Sequence, residues 1–318
     1  MTHRRIPVPG LKRLLYRLAV VFISTAVTAG LVGCATALPG DPSFSFDATA
    51  DARMFTPPEY PGREYFLGVC HAIRTLGPGV FMISPGDMEP PARVRATLDQ
   101  VMGPDYAWYD APGNHEGDAP EHMTWLRQYN AGGNTLPRIV RCGPPGASET
   151  CYSFDHENTH FVAINQYFDG QTDMNHPNGT VSDPLYEWLV EDLESTDKKH
   201  IFVFGHEPAF PISDMDNGRL RHVGKSLDRD PERRHRFWTL LRKHNVTAFI
   251  CGHTHNASVA KINGVWQIDV GHSRGRGDDG ARSTFAKFRV EGPHVWVDVY
   301  RGDEANEVYT LRHTEQLR

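Results

Sequence analysis

Cysteine is scarce in these 318 residues, with five in all, so a scaffold held together mainly by disulfides is excluded. The formal charge is only -6 and no run of one sign stands out, which leaves no basic field for nucleic-acid phosphates and no charged binding tail. A His-x-His-x-Asp-His cluster early in the chain is missing, which removes the hydrolases built on that metal cradle. Internal repeats and low-complexity tracts are absent too, and a hydrophobic content of 39% is enough for one large core or two modest ones. Histidine is the exception to this scarcity. There are seventeen, several standing beside Gly, Asp and Asn in short clusters, a pattern that points to metal chemistry.

Arg4, Arg5, Lys12, Arg13 and Arg17 form a basic flank before the apolar stretch Leu18 to Val32, which reads as a targeting segment outside the fold. It ends in Leu31-Val32-Gly33-Cys34, which resembles a bacterial lipobox. The resemblance implies a lipoprotein signal peptide over 1–33, lipidation of Cys34 and a linker over 34–43. An uncut signal anchor is the alternative. Under the lipobox reading the protein is exported and held by a lipid anchor at the bacterial cell envelope, on its periplasmic or extracellular face. Several acyl groups would be needed there, because one chain binds a membrane only marginally. Cys142 and Cys151 bracket a polar, turn-rich loop, and a disulfide between them is expected in an oxidising compartment. Cys70 and Cys251 are expected to be buried free thiols.

Beyond the linker, 44–318 reads as a single domain in which strands and helices alternate. Phe44 to Asp51 alternates like a strand, and Phe66, Val69, Ile73 and Leu76 recur at helical spacing until Gly77-Pro78-Gly79 stops them. Val80 to Ser84 is a wholly apolar strand that runs into Pro85-Gly86-Asp87. The same alternation predicts helices at Pro91 to Met102, Pro120 to Tyr129, Pro184 to Leu193 and Pro231 to His244. It predicts strands at Tyr106 to Ala111, Tyr152 to Phe154, His160 to Asn165, His200 to Phe204 and Thr247 to Cys251. Val265 to Val270, Phe285 to Val290 and His294 to Tyr300 look like antiparallel additions. The irregular stretches Asn130 to Thr150, Tyr167 to Asp183 and Pro208 to Asp230 are long enough to expect a role at the site.

Five clusters follow apolar strands directly: Asp51, Gly86-Asp87, Gly113-Asn114-His115-Glu116, Gly205-His206-Glu207-Pro208 and Gly252-His253-Thr254-His255. That is where an α/β sheet exposes its carboxyl ends. A lone Gly-Asp pair is ordinarily a turn, but carboxylate, amide and imidazoles at successive strand ends are what a metal site requires. Together with Tyr152-Ser153-Phe154 and Glu187-Trp188-Leu189, these clusters make the chain similar to the calcineurin-like metallophosphoesterase superfamily, which includes the purple acid phosphatases. The resemblance implies an α/β, four-layer fold, a β-sandwich of two mixed sheets flanked by helices. It also implies a metal-dependent phosphoester hydrolase, a phosphatase or phosphodiesterase acting on small phosphate esters through metal-activated hydroxide, with no nucleic-acid binding expected.

Carried over by position, the resemblance implies that Asp87 bridges two ions, with Asn114, His206 and His253 at the second and Asp51 and His255 at the first. Such ligands suit Fe, Mn or Zn. His115 becomes a donor to the leaving oxygen or substrate, and Glu116 and Glu207 would orient neighbouring histidines. The first motif departs from the family's Asp-x-His, because the chain has Asp51-Ala52-Arg53. An alignment through Val69-Cys70-His71 keeps the imidazole but loses the carboxylate, and His71 falls inside the helical periodicity. Arg53 would repel the first ion or hold a phosphate oxygen. One ion held firmly and a second, labile one are therefore expected. Pro90 stands three beyond Asp87, where purple acid phosphatases carry a tyrosinate. A different reading keeps the scaffold as a catalytically silent lipoprotein acting as a binding module, with Arg53 as its support.

Overall fold

The computed structural model describes residues 42–52, 65–173, 178–273, 281–303 and 308–318. The chain divides into 1–35 and 36–318, and all described residues belong to the second unit. The expectations for Cys34, for the signal segment and for Arg53 lie outside the described residues. Among the described residues no helix is long and apolar enough to cross a membrane.

The first sheet joins β1 (Ser43–Ala48), β2 (Phe81–Pro85) and β3 (Ala107–Ala111) in parallel. It continues on the other side of β1 through antiparallel strands β11 (Thr284–Glu291), β12 (His294–Gly302) and β13 (Tyr309–Gln316). The second sheet orders β4 (Ile139–Cys142), β5 (Tyr152–His156), β6 (Thr159–Ala163), β7 (His200–Phe204), β8 (Ala248–Cys251), β10 (Val265–Val270) and β9 (Ala257–Ile262). Within it β6, β7, β8 and β10 are parallel neighbours.

Period-two alternation explains the layering. In β2, Phe81 and Ile83 face the opposing sheet while Met82 faces α1 (Phe66–Leu76), α2 (Pro91–Met102) and α4 (Pro120–Tyr129). In β7, Phe202 and Phe204 face inward while Ile201 and Val203 meet α5 (Asp183–Ser195) and α6 (Pro231–Lys243). The outcome is an α/β sandwich of two mixed sheets with helices on both outer faces. Phe46 sits near its middle, stacked on Phe288 at 4.7 Å and edge-on to Phe161 at 5.0 Å.

α1, α2, α4, β7 and β10 run between the residues at which periodicity and turn chemistry place them. β4, β9 and β13 are additional strands, and the turn after Gly113 closes into one helical turn, α3 (Asn114–Gly117).

The expected Cys142–Cys151 disulfide does not form. Both thiols are free, Cys142 exposed and Cys151 buried. Cys142 pairs with Tyr152 across the ladder, and a Cβ added at the next position, Gly143, would point at Cys151. Alternation thus turns the Cys142 side chain to the other face, while Cys151 Sγ accepts the N–H of Asn165 at 3.2 Å. Cys70 and Cys251 are buried and free.

Candidate metal centre at the carboxyl ends of the parallel strands

β1, β2, β3, β7 and β8 end on one rim, and each hands over to a ligand-type residue within a few positions. Asp51, Asp87, His253 and His255 all adopt positive φ, at 52°, 56°, 69° and 58°. Such backbone is uncommon for non-glycine residues and gathers at functional sites. Gly86 has φ 85°, and a Cβ there would lie 2.6 Å from His206 Nδ1. A Cβ on Gly113 would overlap the Asp87 carboxylate. The bends bring the two loops so close that neither position accepts a side chain.

Asp51, Asp87 and His206 are buried, and one ligand atom from each lies within 4.8 Å of the others. His206 Nδ1 faces the Pro85 carbonyl at 2.8 Å. That oxygen only accepts, so Nδ1 carries the proton and Nε2 faces Asp87 Oδ2 at 3.4 Å. His253 packs edge-on against the His206 ring at 5.0 Å. Its Nε2 meets the Lys225 carbonyl at 3.2 Å, and its Nδ1 turns toward His206 Nε2, also at 3.2 Å. Burial, followed by the charge of His206, holds His253 well below the usual histidine range. Asp51 Oδ2 accepts the N–H of His253 at 2.9 Å, while its buried Oδ1 lacks an aligned hydrogen-bond donor although His255 Nε2 is 3.1 Å away. A buried carboxylate oxygen without a donor, beside converging imidazole nitrogens, fits a metal cation.

Charge is tightly coupled here. Burial opposes ionisation of His206, yet the neighbouring Asp87 raises it to about 10 in the absence of metal. Asp87 itself is lowered: burial disfavours its charge, and His206 more than offsets this. Burial, together with Asp87, lifts Glu116 to about 8.

His115 follows Asn114, the first residue of α3, and its N–H donates to Asp87 Oδ1 at 3.0 Å. Its side chain is 30% exposed, with Nε2 3.7 Å from Asp87 Oδ2 and Nδ1 3.6 Å from Glu89 Oε2. The two glutamates expected to orient histidines hydrogen-bond elsewhere. Glu116 Oε2 accepts the N–H of Asp87 at 3.0 Å and of Gly113 at 2.7 Å, buckling the two ligand loops together. Glu207 accepts from Tyr167 Oη at 3.2 Å and the Gly179 N–H at 2.7 Å, and pairs with Arg229, so it fastens the long loops around the rim. His71 lies half-buried on α1, away from this constellation.

The loop after His206 brings two residues that no motif marks as site groups. His222 Nδ1 stands 2.7 Å from His253 Nε2, and Arg221 Nη1 stands 2.6 Å from His255 Nδ1. The only signal in the sequence is a local concentration of Arg219, Arg221 and His222 inside a long irregular stretch. Gly271-His272-Ser273-Arg274-Gly275 has the spacing of a nucleophile elbow, but Ser273 is buried and its hydroxyl donates to the Ala50 carbonyl at 3.2 Å.

A two-sheet sandwich that collects carboxylate, amide and imidazole groups at the ends of its parallel strands is the frame of the metallophosphoesterases. The chain belongs to the calcineurin-like phosphoesterase family, whose model matches residues 70–257. The fold is similar to PhoD, at 13% identity and a TM-score of 0.57 over 86% of this chain and 69% of that one. It is also similar to GAP50, the anchor in the inner membrane complex of Plasmodium, at 14% identity and a TM-score of 0.51 over 86% and 88%. No curated protein matches the chain.

Proposed function

We propose that this chain is a phosphatase or phosphodiesterase that hydrolyses small phosphate esters with metal-activated water. The observation that carries this reading is the buried convergence of Asp51, Asp87 and His206, with the outer nitrogen of His206 occupied by the Pro85 carbonyl. Asp87 would hold both ions, since each of its two oxygens can face a cation, while Asn114, His206 and His253 would complete one position and Asp51 and His255 would belong to the other. Ions bound there would supply positive charge against the phosphoryl oxygens and acidify a water. His115 stands at the open side of Asp87 and donates a proton to the departing oxygen. Glu116 keeps the Asp87 and Gly113 loops in register, and Glu207 with Arg229 keeps the surrounding loops closed.

We place the protein outside the cytoplasm, tethered through lipid on Cys34. Cys34→Ala would then move it from the membrane fraction into the soluble fraction. Activity is tested with p-nitrophenyl phosphate and bis-p-nitrophenyl phosphate after reconstitution with Mn, Zn or Fe. Asp87→Ala is expected to lower turnover by about 10²-fold or more. Turnover unchanged by that substitution would remove the proposed site.

A further inference from the structure

We infer that the cleft at the amino ends of the second sheet, where Arg242, Lys243 and Arg318 gather opposite the metal rim, binds the phosphate headgroup of an anionic lipid and lays this end of the protein on the membrane. This rests on the lipid-anchor reading above, which brings a membrane close, and not on the metal-dependent one.

An open cleft of about 430 Å³ lies between the last turn of α6, the β9–β10 turn and Arg318. Thr239, Arg242, Lys243, Asn245, Asn263 and Arg318 supply its polar lining, and no acidic side chain is among its lining residues. The chain as a whole has 39 acidic residues against 33 basic ones, so this lining of cations, amides and a hydroxyl is a local reversal of charge. It suits an anion of the phosphate class. Arg242 is exposed and has no side-chain partner among the described residues. Lys243 pairs with Glu194 at 3.2 Å, and both are exposed, which keeps that bond weak in water. The end of a helix that presents carbonyls would ordinarily repel an anion. Here Leu240, Leu241 and Arg242 accept the N–H groups of His244, Val246 and Asn245 at 3.1, 3.0 and 3.1 Å, and Arg318 donates to the Asn245 carbonyl.

The place of the cleft in the fold selects the source of the phosphate. It lies where β8 and β10 begin, whereas the metal rim lies where β7 and β8 end. Contacts run from it to the point where the chain enters the fold. Arg318 Nε donates to Thr247 Oγ1 at 3.4 Å, and the Arg318 carbonyl accepts the Val295 N–H, also at 3.4 Å. In the turn just before Val295, the Gly292 N–H donates to the Pro42 carbonyl at 2.9 Å. Only residues 35–41 separate Pro42 from Cys34, a reach of at most about 30 Å. A lipid on Cys34 therefore keeps this end near a bilayer. Lys199 adds its charge there, as His200 records: burial lowers its pKa first, and Arg318, Lys199 and His294 lower it further against the Gly292 carbonyl. The net charge of -6 keeps the rest of the molecule off an anionic surface. This end alone is attracted, and the metal rim is left facing soluble esters.

Hydrogen exchange read by mass spectrometry tests the docking on the full-length protein in lipid nanodiscs, one set of phosphatidylcholine alone and one containing phosphatidylglycerol. Phosphatidylglycerol is expected to slow exchange at 239–247 and 263–265 and to leave 252–256 at the metal rim unchanged. Arg242→Gln combined with Lys243→Gln should lose that protection, each cation removed shifting the docked-to-undocked ratio about five-fold. Its turnover of p-nitrophenyl phosphate should match the wild type, which shows that the variant is folded. Added salt should release the wild-type protein in the same way. Equal exchange in the two kinds of disc would overturn the inference, and if inorganic phosphate in detergent alone protected the cleft, the site would be one for free phosphate. The mass of the N-terminal peptide decides the anchor separately. A chain without lipid on Cys34 whose cleft is still protected by anionic discs loses the anchor and keeps the headgroup site; a lipidated chain that exchanges equally in both discs keeps the anchor and loses the site.

Discussion

The carboxylate of Glu116 accepts the backbone N–H of Asp87 at 3.0 Å, and through the same oxygen it accepts the N–H of Gly113 at 2.7 Å. One buried oxygen thus sets the spacing of the loops after β2 and β3, and its other oxygen has no partner. Glu116→Gln can keep both bonds with its amide oxygen and is expected to retain metal affinity. Glu116→Ala leaves two N–H groups unpaired and is expected to lose roughly 10- to 100-fold in metal affinity, read by calorimetry. Equal affinity in the two variants would show that the buckle has no influence on the ligands.

His115 is placed to act on the leaving group, and that role has a signature in the choice of substrate. Removing it as His115→Asn should cost turnover about 10²- to 10⁴-fold on alkyl phosphates, whose leaving oxygen needs a proton. p-Nitrophenyl phosphate, whose leaving group departs readily as an anion, should lose much less. The ratio of the two losses is the measurement, and a uniform loss would argue against proton donation.

Far from the rim, His160 is clamped between Asp155 at 2.7 Å and Asp192 at 2.9 Å, joining β6 to β5 and α5. Burial works against its charge, but hydrogen bonds and attraction from Asp192 and then Asp155 raise it above the ordinary value of 6.5. A raised folded pKa stabilises fully below the unfolded value and ceases to do so as pH rises through the folded one. Melting curves in chelator should therefore show the advantage of wild type over His160→Gln at about pH 6 shrinking steadily as pH rises. An advantage independent of pH would mean the imidazole is neutral in the fold.

Arg301 on β12 is fully buried, 2.8 Å from Asp214 and 3.0 Å from Asp216, and ties the loop that carries Arg221 to the first sheet. Arg301→Ala leaves buried carboxylate charge unpaired and is expected to cost about 3–5 kcal/mol. That corresponds to a fall in melting temperature on the order of 10 °C. The Arg301→Met and Asp214→Leu pair, which removes both charges together, should recover much of the loss. A double variant as unstable as Arg301→Ala would place the cost in packing rather than in charge.

The apolar strands and amphipathic helices of this chain determined its layered fold, because periods of two and about 3.6 are local properties that burial enforces wherever the chain folds. The same locality made the strand-end clusters at Asp87, Asn114, His206 and His253 legible, since each needs only one strand and one glycine bend. β13 escaped because it is largely exposed and carries no apolar alternation, and the proposed Cys142–Cys151 bridge failed because sequence proximity says nothing of which face a strand presents. Only tertiary structure decided what Glu116, Glu207, Arg221 and Arg301 touch. Their partners depend on how separate loops meet at one rim, and Arg221 reaches His255 across 34 positions, as Arg301 reaches Asp214 across 87. Whether an imidazole faces a carbonyl, as His206 does, or a guanidinium, as His255 does, is set by that meeting of loops.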